Sequence, residues 1–211
     1  MPLHNRVTPF GEVVAVEARG SVYGNRGCLH DETGRIRRSY NGQRWISCRL
    51  DFKGRRRHPL MRPGRFTELF FLDEATAFAA GHRPCAECRR EDYVRFTDMW
   101  RERHPHDTYA GAIDERLHDE RFDVVARAQR HHTASIADLP DGTFIARDGN
   151  AMLVAGNEIR LWTPAGYTEK ERRPSRRSVE IITPPSIVDV LRAGWISSVP
   201  FLHPSALSLP T

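Results

Sequence analysis

The chain has 211 residues, of which 39% are hydrophobic and 28% charged, and its net charge of +5 comes from 32 basic and 27 acidic residues. These values are ordinary for a folded globular protein and exclude disorder over the whole length. No apolar run is long enough for a membrane-spanning helix, and residues 1–12 lack the apolar centre of a signal peptide, so we expect a cytoplasmic protein with one large or two small domains.

The first half of the chain shows the alternation and turn signals of a small β-meander. Residues 12–16 are strand-like, and residues 45–48 alternate between apolar and polar side chains. Thr33-Gly34 and Asn41-Gly42 are turn signals between these two segments. We therefore predict short antiparallel strands here.

Two helices are predicted to follow the strands. The first covers residues 73–80, where Asp73 can accept hydrogen bonds as an N-cap and the alanines favour a helix. The second begins near Pro84, a residue that is common in a first helical turn, and runs to about Arg103. Its predicted core stripe consists of Tyr93, Phe96 and Trp100.

The four cysteines of the chain all lie in this first half, at Cys28, Cys48, Cys85 and Cys88. Reduced cytoplasmic thiols do not favour a disulfide framework, and a Cys-x2-Cys pair with two more cysteines is typical of a closed, tetrahedral zinc site. The alternatives are a redox pair or four unrelated buried thiols. A redox pair normally follows a hydrophobic strand, whereas Cys85 follows Gly-His-Arg-Pro. The sequence therefore predicts Zn²⁺ bound by four thiolates.

The stretch RFTELFFLDEATAFAAGHRPCAECRR, residues 65–90, closely resembles the end of the amino-terminal zinc domain of Ada-type DNA-repair methyltransferases. In that family an aromatic strand and an alanine-rich helix also lead into a Cys-x2-Cys knuckle. The resemblance, weaker over residues 26–101, implies a DNA-binding zinc module in which one zinc-bound thiolate removes a methyl group from a phosphotriester. It implies that Cys85 and Cys88 are the last two ligands and that Cys48 occupies roughly the position of the reactive thiolate.

The spacing of the first two ligands differs from that family. The family's first two cysteines lie close together in sequence, whereas Phe52 stands four positions after Cys48, so the missing ligand is expected from Cys28. Methyl acceptance also requires an exposed and activated thiolate. Strand alternation places Arg44 on the Cys48 face, where it would stabilise the thiolates, and Arg49 on the other face, where it could hold a phosphate. We therefore predict structural zinc, with a catalytic, methyl-accepting Cys48 as the alternative.

A basic stretch between Cys48 and Cys85 is the predicted contact with nucleic acid, with DNA as the first candidate and RNA as the alternative. Residues 26–101 contain 17 basic and 10 acidic residues, so they carry all the excess positive charge. Arginine forks match phosphate geometry, and cations on a loop neutralise phosphates without reading the sequence. A solubilising loop is the alternative, and His58 is a second candidate for a zinc ligand. The predicted contacts are Arg49, Lys53, Arg55, Arg56, Arg57, Arg62 and Arg65.

Residues 107–211 are predicted to form a second unit after a zinc-binding domain of residues 1–106. Its pattern indicates a small antiparallel sheet with helices, which gives the chain an α+β class. The chain as a whole resembles a group of bacterial proteins from which no activity can be carried over. The predicted elements are a helix over 113–132, strands over 143–146, 151–154, 159–162 and 179–182, a charged loop over 168–178, and a helix over 186–194 capped by Ser186.

The second unit contains no established catalytic motif. Its candidate metal or acid–base cluster consists of His118, Glu120, His131 and His132. Surface or hydrogen-bonded histidines are the more ordinary interpretation of such a set. We therefore predict that the protein binds nucleic acid and depends on zinc, and the resemblance adds a relation to DNA repair. The alternatives are a methyl acceptor, a metal-assisted hydrolase and a protein-interaction module.

Overall fold

The computed structural model of the protein describes residues 1–55 and 58–207. They form two six-stranded sheets, one two-stranded sheet and four α-helices, which confirms the predicted α+β class. Over these residues, none of the helices is both long and apolar enough to cross a membrane.

The amino-terminal part of the chain forms the first six-stranded sheet. Its strands are β1 (His4–Val7), β2 (Val13–Ala15), β3 (Val22–Asn25), β4 (Ile46–Cys48), β5 (Leu69–Phe71) and β6 (Arg83–Pro84). The order is β2-β1-β5-β3-β4-β6, and the sheet is mixed because β1 pairs with β5, and β4 with β6, in parallel. The pairing of β4 with β6 places the chain just before Cys85 beside the strand that carries Cys48.

The predicted pair of helices is present as α1 (Glu74–Ala79) and α2 (Arg90–Arg103). Asp73 is the N-cap of α1 and accepts a hydrogen bond from the backbone N–H of Thr76, as predicted. Helix α2 begins later than predicted because Pro84 continues β6 opposite Ser47 instead of starting a helical turn. Residues 85–89 therefore form a turn between β6 and α2.

The second six-stranded sheet is antiparallel throughout and has the order β13-β12-β11-β10-β14-β9. The remaining elements are α3 (Ala110–Arg121), β7 (Phe122–Asp123), β8 (Ala128–Gln129), β9 (His132–Ser135), β10 (Phe144–Arg147), β11 (Asn150–Ala155), β12 (Glu158–Thr163), β13 (Gly166–Arg172), β14 (Ser178–Ile181) and α4 (Pro185–Arg192), with 3-10 helices at Ile136–Asp138 and Pro204–Ala206.

Three predictions for this region are corrected by the structure. The helix expected over 113–132 ends at Arg121, because the chain turns there into the β7–β8 hairpin. Much of the charged loop expected over 168–178 is strand β13, which pairs with β12. Ser186 does not cap α4; the N-cap is Pro184, and the Ser186 hydroxyl contacts Glu120.

Helix α1 lies at the centre of the hydrophobic core, and all six of its residues are buried. Ala75 and Ala79 pack in one cluster with Phe144 of the second sheet. Phe78 packs in another cluster with Phe96 of α2 and with residues of α3 and α4. Residues from both sides of position 106 therefore contribute to the same hydrophobic clusters.

We expect Asp73→Ala to lower the free energy of unfolding by about 3–5 kcal/mol, because a cap and several buried donors lose their acceptor together. The Asp73 carboxylate accepts from the backbone N–H and hydroxyl of Thr76, the Tyr167 hydroxyl and the backbone N–H of His203. Asp98→Ala, at an exposed position on α2, is the control and should change stability by less than about 0.5 kcal/mol. Urea unfolding measures both, and equal effects would contradict the central role of this cap.

Candidate metal centre

Three cysteine sulfurs, those of Cys48, Cys85 and Cys88, lie within 4.8 Å of one another. Cys48 ends strand β4, and the other two lie in the turn between β6 and α2. All three residues are buried, with 5%, 8% and 8% of their surface exposed. The side chains of Tyr23 and Phe52 pack around them. The sulfurs thus form a compact, largely enclosed group.

The backbone around Cys85 fixes the geometry of this group. The N–H of Cys85 donates to the carbonyl of Ser47 at 2.9 Å, which joins the turn to β4. The N–H of Glu87 donates to the Cys85 sulfur at 3.4 Å, and the N–H of Arg89 donates to the Cys85 carbonyl at 3.1 Å. Backbone N–H groups aimed at a sulfur favour its thiolate form.

The three sulfurs influence one another's protonation. Hydrogen bonds from the thiols of Cys48 and Cys88 lower the pKa of Cys85. Hydrogen bonds to Cys85 and Cys88, together with burial, raise the pKa of Cys48. Three sulfurs at this separation carry three negative charges only when a cation compensates them, and a bound metal ion supplies that charge.

The donor set and its spacing fit a soft or borderline metal ion. Thiolates bind zinc at about 2.3 Å, which places two sulfurs of a tetrahedral site about 3.8 Å apart. Separations of at most 4.8 Å between the observed sulfurs are compatible with such a site. Across residues 1–55 and 58–207, no further His, Cys, Asp or Glu joins these three.

Cys28 lies apart from this group. Its half-buried thiol donates a hydrogen bond to the carbonyl of His30 at 3.6 Å. The register of the sheet explains the separation: Tyr23 pairs opposite Cys48, and the antiparallel run of β3 then carries the chain away from Cys48 before residue 28 is reached. The structure thus brings together three of the four cysteines predicted as ligands.

Exposed charged residues lie on one side of the cysteine group, and one of them, Arg55, pairs with Glu87 at 2.5 Å. Arg49 directly follows Cys48 and donates to the Ser198 hydroxyl at 3.1 Å. The charged groups of Lys53 and Arg55 lie 5.2 Å and 5.3 Å from the centre of the Phe52 ring. Arg56 and Arg57 lie outside the described residues. The other predicted nucleic-acid contacts, Arg62 and Arg65, are exposed, as are Arg44 and His58.

Arg89 is a residue of this site that sequence reasoning missed. Its guanidinium is fully buried and pairs with the carboxylates of Glu74 and Asp92. It also donates to the hydroxyl of Ser47 at 2.8 Å and of Ser197 at 3.1 Å. Its position immediately after Cys88 was visible in the sequence, but its distant partners were not. It holds the cysteine turn against α1, α2 and β4.

The histidine cluster considered for the second unit is not assembled. His118 is buried against Tyr40, with ring centres 4.6 Å apart. His131 contacts Glu180 at 2.7 Å, whereas Glu120 accepts hydrogen bonds from Ser186. The cysteine group is the one metal-type cluster found among the described residues, and neither these histidines nor His132 belong to it.

We expect Cys85→Ser to lose bound metal, because it removes one of three sulfur ligands, and Cys28→Ser to keep one metal ion per chain. Metal content per chain, measured by mass spectrometry after dialysis against a mild chelator, separates the two variants. Equal loss from Cys28→Ser would make Cys28 a ligand after all. Full metal retention by Cys85→Ser would contradict the site.

Comparisons with known proteins leave the function to be inferred from these residues. No protein-family model, curated protein or solved structure matched this chain. The three buried cysteines and the exposed cations beside them are accordingly the features on which a function is proposed.

Proposed function

We propose that the protein binds nucleic acid through a basic surface held in place by a structural zinc ion on Cys48, Cys85 and Cys88. The observation that carries the proposal is the group of three buried sulfurs within 4.8 Å. Thiolates select borderline and soft metals over Mg²⁺ and Ca²⁺, and zinc accepts them without redox change. When bound, zinc supplies the positive charge that stabilises three adjacent thiolates.

The zinc would have three protein ligands from the described part of the chain. The residues outside it, at 56, 57 and 208–211, include no Cys, His, Asp or Glu. Because the ligands come from β4 and from the β6–α2 turn, metal binding would fasten a strand of the first sheet to a helix of the core.

The exposed cations next to this group support an anionic partner. Phe52 packs against the cysteines and carries the charged groups of Lys53 and Arg55 over its ring. Arg49 is exposed and adjacent to Cys48 in the chain. A metal ion bound to Cys48 would fix the position of this cysteine and of Phe52 packed against it, and with them the three cations. Cations that are already fixed in position lose less conformational entropy when they bind phosphates.

The resemblance to the Ada-type zinc domain leads us to propose DNA as the nucleic acid and a connection with DNA repair. The burial of Cys48, at 5% exposure, favours a binding role over methyl acceptance, because a nucleophilic sulfur has to reach the substrate carbon. The side chain of Arg49 is exposed, and it would contact a phosphate in either case.

Binding to duplex DNA should depend steeply on salt, because each neutralised phosphate contributes about 0.9 to the slope of log K against log salt. Replacing Arg49, Lys53 and Arg55 by Gln should flatten that slope by roughly 2–3 units without changing sequence preference. Fluorescence anisotropy with labelled duplexes at several salt concentrations measures the slope.

A matched triple variant tests whether the effect belongs to this surface. Arg172, Arg176 and Arg177 are three exposed arginines of the second sheet region, and their replacement by Gln removes the same total charge. This control should leave the slope close to that of the original protein. Equal losses in both variants would show that only net charge matters and would contradict the proposed surface.

We expect no methyl transfer to Cys48, because its sulfur is enclosed. Incubation with DNA that carries methyl phosphotriesters should leave the intact mass of the protein unchanged. A stoichiometric gain of one methyl group on Cys48, located by peptide mapping and absent from Cys48→Ser, would overturn this expectation and make the protein a methyl acceptor.

A further inference from the structure

A cavity of about 360 Å³ has no cysteine in its wall. Its volume is in the size range of small-molecule sites. Its wall combines the turn between β1 and β2, the residue before β4, the end of α3 and the β7–β8 hairpin. The aromatic side chains of Phe10, Trp45 and Phe122 line it together with Arg26 and Arg121.

Arg26 and Arg121 are buried, and neither has a carboxylate ion-pair partner in the part of the chain that the structure describes. Only 2% and 1% of their surface is exposed, and neither forms an ion pair with any residue in the described ranges. Arg26 donates to the carbonyl of Gly11 at 2.7 Å, and Arg121 donates to the carbonyl of Gly81 at 2.6 Å. The Nε atoms of both arginines are buried and have no hydrogen-bond partner within the described chain.

The other large buried arginines show how this protein normally compensates such a charge. Arg83 donates two hydrogen bonds to Asp114, at 2.8 Å and 2.7 Å. Arg89 pairs with Glu74 and Asp92. A buried guanidinium without a counter-charge is costly, and burial lowers the pKa of Arg26 to about 9.

Aromatic and neutral groups contact both arginines, and the charges of Asp114 and Glu120 act on Arg121 without forming an ion pair with it among the described residues. Both guanidiniums lie against one indole, with their carbon atoms 4.6 Å (Arg26) and 4.0 Å (Arg121) from the centre of the Trp45 ring. Burial, and then the charges of these arginines, lower the pKa of His82, whose ring contacts Trp45, so the imidazole is neutral. The charge left over can be neutralised by an anion that enters the cavity.

We propose that this cavity binds a small anionic molecule, whose phosphate or carboxylate group pairs with Arg26 and Arg121 and whose planar ring lies along the aromatic wall. Two further wall residues offer polar atoms without partners in the described structure, Gln129 Oε1 and His131 Nε2. The single acidic residue that the described wall contains, Glu12, is exposed at its rim. The site requires neither the metal nor a nucleic-acid strand.

Thermal unfolding of the full chain with three probes tests the proposal. The probes are adenosine monophosphate, benzoate and inorganic phosphate. Comparing the first two tests whether the cavity prefers a phosphate or a carboxylate, and comparing the first with the third tests whether a ring is needed. At least one ring-bearing probe should raise the unfolding midpoint saturably, because a ligand bound only by the native state stabilises it. No shift with any of the probes would overturn the proposal.

Arg26→Met tests the role of the charge. It should weaken binding of the effective probe at least about tenfold, as expected for the loss of a charge-assisted hydrogen bond. Without ligand, its unfolding midpoint should not fall below that of the original protein, because an uncompensated buried charge is removed. Arg103→Met, exposed on α2 and outside the cavity, should bind the probe normally.

Two outcomes contradict the proposal. Undiminished binding by Arg26→Met would show that the arginine is structural only, and weakened binding by Arg103→Met would show a non-specific charge effect. If Arg26→Met does not fold, Arg26→Lys keeps the charge but loses the guanidinium fork, and it should bind the probe more weakly than the original protein. Unchanged binding by that variant is then the contradicting result.

Discussion

The rest of the structure depends on the ion pairs and hydrogen bonds of one buried guanidinium, that of Arg89. It joins α1 through Glu74, α2 through Asp92 and strand β4 through Ser47. It also contacts the carboxyl-terminal segment through Ser197. Removing one partner from such a network leaves an uncompensated charge in the core, which costs several kcal/mol. Because the residue follows Cys88 directly, the fold of the core and the position of the cysteine turn are fixed by the same contacts.

Local signals were enough to predict much of the fold. The cap at Asp73, the strand over 45–48 and the hairpin of β10 and β11 each depend on neighbouring residues, and each is found. The mixed pairing of the first sheet was not predictable in this way. It joins β1 to β5, about sixty residues apart, and the sequence contains no turn signal that specifies such a partner.

The candidate site shows the same division. The Cys-x2-Cys pair and Cys48 were predicted from residue type and spacing, and the structure brings them together. Cys28 was predicted as the fourth ligand because the chain has four cysteines. The number of cysteines does not show that β3, paired with β4 at Tyr23 and Cys48, runs away from Cys48 toward residue 28. The buried arginines were equally hidden, because the sequence does not distinguish an arginine in the core from one on a loop. Arg26 and Arg62 are both arginines in the basic segment, but Arg26 is buried and Arg62 is exposed.

The contacts of strand β4 restrict where residues can be inserted into or deleted from this chain. Trp45, just before the strand, lies on the cavity wall, Ser47 contacts the core arginine and Cys48 contacts the other sulfurs. Side chains alternate between the two faces of a strand, so an inserted or deleted residue here would turn Cys48 to the wrong face. The turn at Gly34, which faces open space, lies outside that strand. We therefore expect a change in length to be tolerated better at this turn than within β4.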